Sequence, residues 1–328
     1  MLLPATNRVN VVVNLSLASP KWNGALVMVA KKRSRGPSNG LTLVELIVVL
    51  GIIAILLALS ITAVLAIREA SRSTACQNNL RQVALAMLNY ESANGYFPNV
   101  KPPSFSHFVE LMPFYGDEVR YGRIDFQVWP DEPPNSDLLF DRPKVLKCPS
   151  EIVHEERQST SYLGNAGVNW LLGKRGTTGI FLHNEGNRNA SWIGDGLSNT
   201  ISFSEFTYGT ESNLMHVVSH PGGATGIDIA KFDQIVRTAI ETNESRQLGL
   251  LWFSPGLGFT AYSHYLQPGS NSARLEGGPW YAFSPSSNHG KRINSSRADG
   301  SVSSVVYAVD RNVWVQLGHC NDGGRTWF

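Results

Sequence analysis

The chain has 328 residues, with 28 Lys and Arg against 26 Asp and Glu, and this near-balance removes the electrostatic footprint of a general nucleic-acid binder. Hydrophobic residues make up 42% and charged residues 16%, which supplies a core and excludes a globally disordered chain. The cysteines, Cys76, Cys148 and Cys320, contain no CxxC pair, so a disulfide framework and zinc sites of the usual paired-cysteine spacing are excluded, and at most one bridge forms.

In chain order, the first feature is an uneven charge. Residues 1–40 carry Arg8, Lys21, Lys31, Lys32, Arg33 and Arg35 and no acid, which leaves the remainder mildly acidic. From Leu46 to Ile67 there is no charged residue. At about 1.5 Å per residue this stretch crosses a hydrocarbon layer of about 30 Å, and it lacks the polar stripe of a soluble core helix. It is also longer than the apolar region of a secretory signal peptide. The next residues, Arg68-Glu69-Ala70-Ser71-Arg72, are still helix-forming rather than a small-residue cleavage site. Lys31, Lys32, Arg33 and Arg35 outweigh Arg68 and Arg72, which places the bulk of the chain outside the cytoplasm. There the cysteines meet an oxidising compartment, with the pairing of any bridge left open.

Between the basic leader and the apolar run stands Gly40-Leu41-Thr42-Leu43-Val44-Glu45-Leu46. This resembles the type IV prepilin signal of pilins and type II secretion pseudopilins. The resemblance implies a membrane-embedded aspartyl peptidase that cuts after Gly40 and methylates the new amino terminus at Leu41. It also implies a bacterial inner-membrane, single-pass protein whose partners are that peptidase/methyltransferase, other pilin-like subunits and the lipid bilayer. Two features depart from the usual pattern: a leader of forty residues, and Leu where Phe or Met is commoner after the cut. Met28-Val29-Ala30-Lys31 reads as a natural beginning, which predicts Met28 as the true start and residues 1–27 as a gene-model artefact.

An ionised Glu45 inside hydrocarbon is costly unless it has a partner. After processing, the amino group of Leu41 lies about one helical turn away, on the same subunit or a neighbour. In pilin-like proteins such a pairing sets subunit stagger. The plainer alternative is that Glu45 snorkels and benefits from the helix dipole.

No proline interrupts residues 41–93, and Cys76, Leu80, Val83, Ala84, Met87 and Leu88 follow helical spacing. Asn94-Gly95 and Pro98 then supply a stop. The expectation is one helix of about 53 residues, ~80 Å long, membrane-spanning over 41–67 and amphipathic over 68–94. Among pilin-like proteins the missing midway proline leans to the pseudopilin side. Residues 95–328 read as an extracytoplasmic α+β domain, an antiparallel β-rich, pilin-like body with large loop insertions. Strands are expected within Asn199–Glu205 and Ser301–Val309, and short helices at Phe105–Tyr115 and Arg311–Leu317. Gly209–Gln247 is the expected variable excursion.

A second resemblance rests on stretches that succeed one another along the chain. They are Ala75-Cys76-Gln77-Asn78-Asn79-Leu80-Arg81-Gln82, Lys147-Cys148-Pro149-Ser150, Ser161-Tyr162-Leu163-Gly164-Asn165-Ala166-Gly167 and Asp195-Gly196-Leu197-Ser198-Asn199-Thr200-Ile201. They are similar to a large bacterial family of unknown function that joins a prepilin leader to a C-terminal H-x9-DG motif. Here that motif is His289, then Asp299-Gly300. The resemblance brings no established activity.

Asp299-Gly300 between two extended runs signals a hairpin, with a two-residue type I′ turn that needs positive φ at both positions. The intervening Arg292-Ile293-Asn294-Ser295-Ser296-Arg297 is more polar than the apolar alternation usual there, which weighs against a buried strand. On the plainer reading His289 packs or hydrogen-bonds near the hairpin base. On the functional one, His289 and a carboxylate bind a metal or a partner, or sense pH. The eight histidines are scattered, and HExxH, G-x-S-x-G, P-loop and Rossmann fingerprints are all missing. We therefore assign no catalytic residue, metal or cofactor. The expected function is a processed, pilin-like structural subunit of a filament or secretion-type assembly. The alternatives are an anchored binding module that does not polymerise, and an extracytoplasmic hydrolase using His289 and Asp299 without an identifiable nucleophile.

Overall fold

The computed structural model describes residues 42–98, 105–151, 159–168, 178–181, 187–207, 215–218, 252–256, 260–275 and 281–323. The chain divides between Leu57 and Ala58 into an amino-terminal unit and a larger unit that holds the ectodomain. Helix α1 runs over Leu43–Asn94, 52 residues without a break. It ends as the sequence predicts: Gly95 takes φ +80° and its N–H donates to the Glu91 carbonyl at 2.7 Å.

Every residue from 42 to 68 is exposed. Beyond them Cys76, Leu80, Val83, Ala84, Ala86, Met87 and Tyr90 are buried along one stripe, as side chains three and four apart share a helix face. Leu88, expected in that stripe, is only part-buried. It stands at the rim, close to Gly300, and Tyr90 fills the core position instead.

The ectodomain is α+β, with a mixed sheet rather than a wholly antiparallel one. Its strands are β1 (Tyr162–Asn165), β2 (Ile201–Glu205), β4 (Ala261–Tyr262), β7 (Arg292–Arg297) and β8 (Val302–Val306), in the order β4-β1-β2-β7-β8. Neighbours pair antiparallel except β1 and β4, which run parallel. A second sheet, β3-β5-β6, joins Met215–Val218, Ser272–Leu275 and Tyr281–Ala282. Of the expected excursion at Gly209–Gln247, only β3 lies within the described residues.

The expected helix at Phe105–Tyr115 is two short pieces, α2 (His107–Glu110) and a 3-10 turn at Met112–Tyr115; α3 is Glu118–Tyr121. Helix α4 (Arg311–Gly318) starts at Asp310, whose carboxylate accepts from the N–H groups of Asn312 and Val313 at 2.9 and 3.2 Å.

The sheet separates two apolar layers. Tyr162, Phe203 and Ala298 join α1 residues in one core, and Leu163, Ile201 and Ile293 join Trp314 of α4 in the other. A register shift between Ile201 and Phe203 puts these two on opposite faces, where a regular strand would place them on the same one.

Strand β7 overturns the expectation drawn from its polarity. It lies inside the sheet, and Ile293, Asn294, Ser295 and Ser296 are buried. Each polar side chain there has a partner, which removes the penalty of burying it. Ser296 Oγ lies 2.9 Å from Ser202 Oγ, and Ser295 Oγ lies 2.8 Å from Ser204 Oγ. The second pair continues through Tyr262 and His264 to the Trp314 carbonyl.

Candidate functional site

The amino-terminal site begins at Thr42. The processing residues Gly40 and Leu41 and the leader charges Lys31, Lys32, Arg33 and Arg35 lie outside the described residues. Glu45 occupies the third helical position, where its Oε2 accepts from the Thr42 N–H and hydroxyl, both at 2.9 Å. The Glu45 N–H in turn donates to Thr42 Oγ1 at 3.3 Å. This reciprocal pair is a capping box, which satisfies helix-end donors that lipid could not. Its signature, Thr42-Leu43-Val44-Glu45, is written in the sequence itself. Within the described chain one carboxylate oxygen, Oε2, is engaged at the helix's own end.

The H-x9-DG residues do not meet. His289 precedes β7 and Asp299-Gly300 lies beyond it, so the strand holds them at opposite ends. What they share is α1. His289 is 7% exposed; its Nδ1 lies 2.6 Å from Glu69 Oε1 and its Nε2 3.3 Å from Glu205 Oε1 on β2. Burial opposes charge on the imidazole, but the hydrogen bond and charge of Glu205, then of Glu69, prevail and raise its pKa above the usual 6.5. Glu69 is also held by Arg72 at 2.8 Å.

Midway, Asn294 Oδ1 accepts from Gln77 Nε2 at 3.0 Å and Asn294 Nδ2 donates to Ser73 Oγ at 3.3 Å. At the far end Gly300 backs onto Leu85 and Leu88; a Cβ there would stand 3.3 and 3.4 Å from their methyls. Glu69 to Leu85 is about 24 Å along a helix; the six-residue β7 supplies about 17–20 Å of that span and its flanking turns cover the rest. The motif is a two-ended clamp that lays one strand along the membrane-proximal and outer turns of the ectodomain helix.

The turn itself differs from the expected type I′. Gly300 alone takes positive φ, +84°, and Asp299 does not. The Gly300 N–H donates to the Arg297 carbonyl at 3.0 Å and the Arg297 N–H to the Ser301 carbonyl at 2.8 Å, a type I turn closed by a glycine bulge. Asp299 accepts from the Ser301 N–H at 2.9 Å. The loop Asp195–Ile201 braces this turn: Leu197 and Thr200 carbonyls accept from the N–H groups of Asp299 and Ala298, and Arg297 donates to Ser198.

The remaining resemblance stretches converge on the same frame. Cys76 on α1 is bridged to Cys148, and Cys320 is a buried free thiol. Asn79 donates to the Lys147 carbonyl at 2.9 Å, and the Tyr162 hydroxyl to the Cys76 carbonyl at 3.3 Å. Gly164 is needed because the rings of His107 and Phe181 sit over it, 2.8 and 2.6 Å from where a Cβ would be. Sequence reasoning missed Thr42, Glu69 and Glu205. The first carried a local signal; the other two are brought to His289 only by the fold.

The helix cap and the exposed apolar turns fit a membrane-anchored, prepilin-like protein. Comparison with family models agrees: residues 35–66 match the prokaryotic N-terminal methylation motif. Residues 65–312 match a protein family of unknown function, DUF1559, and the chain belongs to that family. No curated protein and no solved structure matches the chain. The methylation motif implies processing by a prepilin peptidase, and it fits an apolar helix that anchors the chain with its C-terminal domain outside.

Proposed function

We propose that the chain is a pilin-like structural subunit of a filament or secretion-type assembly in the bacterial inner membrane, crossing it once. The peptidase/methyltransferase cuts after Gly40 and methylates Leu41; neighbouring pilin-like subunits and the bilayer are the remaining partners. The observation that carries this reading is the placement of Glu45. It caps a helix whose residues 42–68 are all exposed and apolar in bulk, and its capping partner Thr42 is the second residue of the expected mature chain. A carboxylate there, with one oxygen engaged by Thr42, retains acceptor capacity for an ammonium group of a neighbouring subunit.

The role is non-enzymatic. The separation of His289 and Asp299 across β7, and the commitment of His289 to Glu69 and Glu205, support a structural use of the H-x9-DG motif over a hydrolytic one. The test compares Glu45→Ala and Glu45→Gln in the native membrane. Both should remain membrane-attached and be recovered with methylated Leu41 by intact-mass analysis. Incorporation into sheared filaments or cross-linked oligomers should fall at least tenfold for both, because neither carries the charge. Undiminished incorporation of Glu45→Ala, or a recovered chain that still carries Lys31 to Arg35, refutes the proposal.

A further inference from the structure

The surroundings of His289 contain more than an ion pair needs. Its Nε2 lies 3.4 Å from Cys148 Sγ as well as 3.3 Å from Glu205 Oε1. Donor atoms of Cys76, Cys148, Glu205 and His289 all fall within 4.8 Å of one another, and all four residues are buried. Bonds of about 2.3 Å to sulfur and about 2.0–2.1 Å to nitrogen and oxygen give a tetrahedral zinc site ligand–ligand edges of roughly 3.3–3.8 Å. The two edges at His289 Nε2, 3.4 Å to Cys148 Sγ and 3.3 Å to Glu205 Oε1, fall in or at the border of that range.

The outer contacts are those such a site requires. A metal-bound histidine ordinarily donates its second ring nitrogen to a carboxylate, which fixes the tautomer and aims the free lone pair at the ion. Glu69 takes that place at 2.6 Å from Nδ1. Glu205 is held by Asn294, whose backbone N–H donates to Oε2 and whose Nδ2 donates to Oε1, each at 2.8 Å. A small cavity of about 10 Å³ borders Cys148 and Glu205, lined also by Ser150, Ser161 and Ser287, with room for a single water beside the ligands.

The geometry points to a second state of this cluster: a four-ligand site for a zinc-like divalent ion, built from Cys76, Cys148, His289 and Glu205, closed while the Cys76–Cys148 bridge stands and opened by a two-electron reductant such as a dithiol. The reductant gives two electrons to the Sγ–Sγ bond and becomes a disulfide, and its two protons pass to the separated sulfurs. Metal binding then displaces both thiol protons to solvent, together with any proton on His289 Nε2. The sequence hides the site, since its ligands come from α1, a loop, β2 and the segment before β7 rather than from one CxxC. Metal binding here does not depend on whether the chain assembles.

The test uses the full-length processed chain in detergent micelles, reduced with a phosphine that is then removed, and cobalt(II) as the probe. The reduced chain should take up one cobalt, with the intense visible bands of a tetrahedral ion and thiolate-to-cobalt charge transfer in the near ultraviolet. Zinc should displace it, and binding should release two to three protons. The oxidised chain should show none of this. Glu69→Gln, which leaves all four ligands in place, should weaken the metal about 10–100-fold, and His289→Ala by more, with circular dichroism checking that each variant folds. Uptake equal in the oxidised and reduced chains overturns the proposal. So do an octahedral spectrum, unchanged affinity in folded His289→Ala, or a reduced chain that unfolds without taking up cobalt.

Discussion

Replacing His107 by phenylalanine should make the ectodomain less sensitive to acid. His107 is 2% exposed, and neither ring nitrogen has a hydrogen-bond partner among the described residues. Its ring stacks on Phe181 at 4.3 Å with 23° between the planes, and the Phe108 ring, tilted by 52°, lies 4.3 Å away. Burial alone pushes its pKa down to about 3. In the unfolded chain the same group titrates near 6.5.

Above that value both states are neutral and the histidine costs nothing through protonation. As pH falls, the unfolded state takes up a proton that the folded state refuses, so stability declines until pH reaches about 3. The slope is about 1.4 kcal/mol per pH unit, or about 2 kcal/mol between pH 7 and pH 5. The assay is urea unfolding of the full chain in micelles, monitored by the fluorescence of the buried Trp252 and Trp314. The His107→Phe chain should lose about 2 kcal/mol less than the parent between these two pH values. His264, also pushed down to about 3 by burial, contributes equally to both and cancels in the comparison. Equal acid losses in the two chains would refute the assignment of a buried, neutral, unpartnered imidazole.

The clamp and its core can be probed in two further ways. Cys76→Ser or Cys148→Ser opens a cross-link between residues 72 apart in sequence, which should cost about 4 kcal/mol, seen as a lowered urea midpoint that reductant no longer shifts. A parent chain whose midpoint ignores reductant would show that the bridge does not form. Gly164→Ala drives a methyl to within 2.6 Å of Phe181 and 2.8 Å of His107, and should destabilise by about 1–3 kcal/mol. Adding His107→Ala should restore part of that loss, whereas strictly additive losses would place the strain elsewhere.

Local chemistry determined the parts of this protein that a short window of residues contains. The uncharged run from Leu46 to Ile67, the unbroken helix to Asn94 and its glycine stop, the strands around Ile201–Glu205 and Val302–Val306, and the two short helical stretches are written in periodicity, breakers and β-branched content. The capping box at Thr42 and Glu45 is of the same kind, although only the structure drew it out. The Asp299-Gly300 turn was half legible. A hairpin was signalled, but whether one or both residues take positive φ depends on the loop length set by the pairing of Ser296 with Val302.

Tertiary structure alone decided three things. The polar segment Arg292–Arg297 became an inner strand because Ser202, Ser204, Gln77 and Glu205, all distant in sequence, supply partners for its side chains. The bridge chose Cys76 and Cys148 over Cys320, since the first two are brought together where α1 meets the loop after Leu146. His289 acquired Glu69 and Glu205, and with them both its raised pKa and its geometry. Burial and partnership are long-range properties, and a residue pattern records them only when the partners are neighbours along the chain.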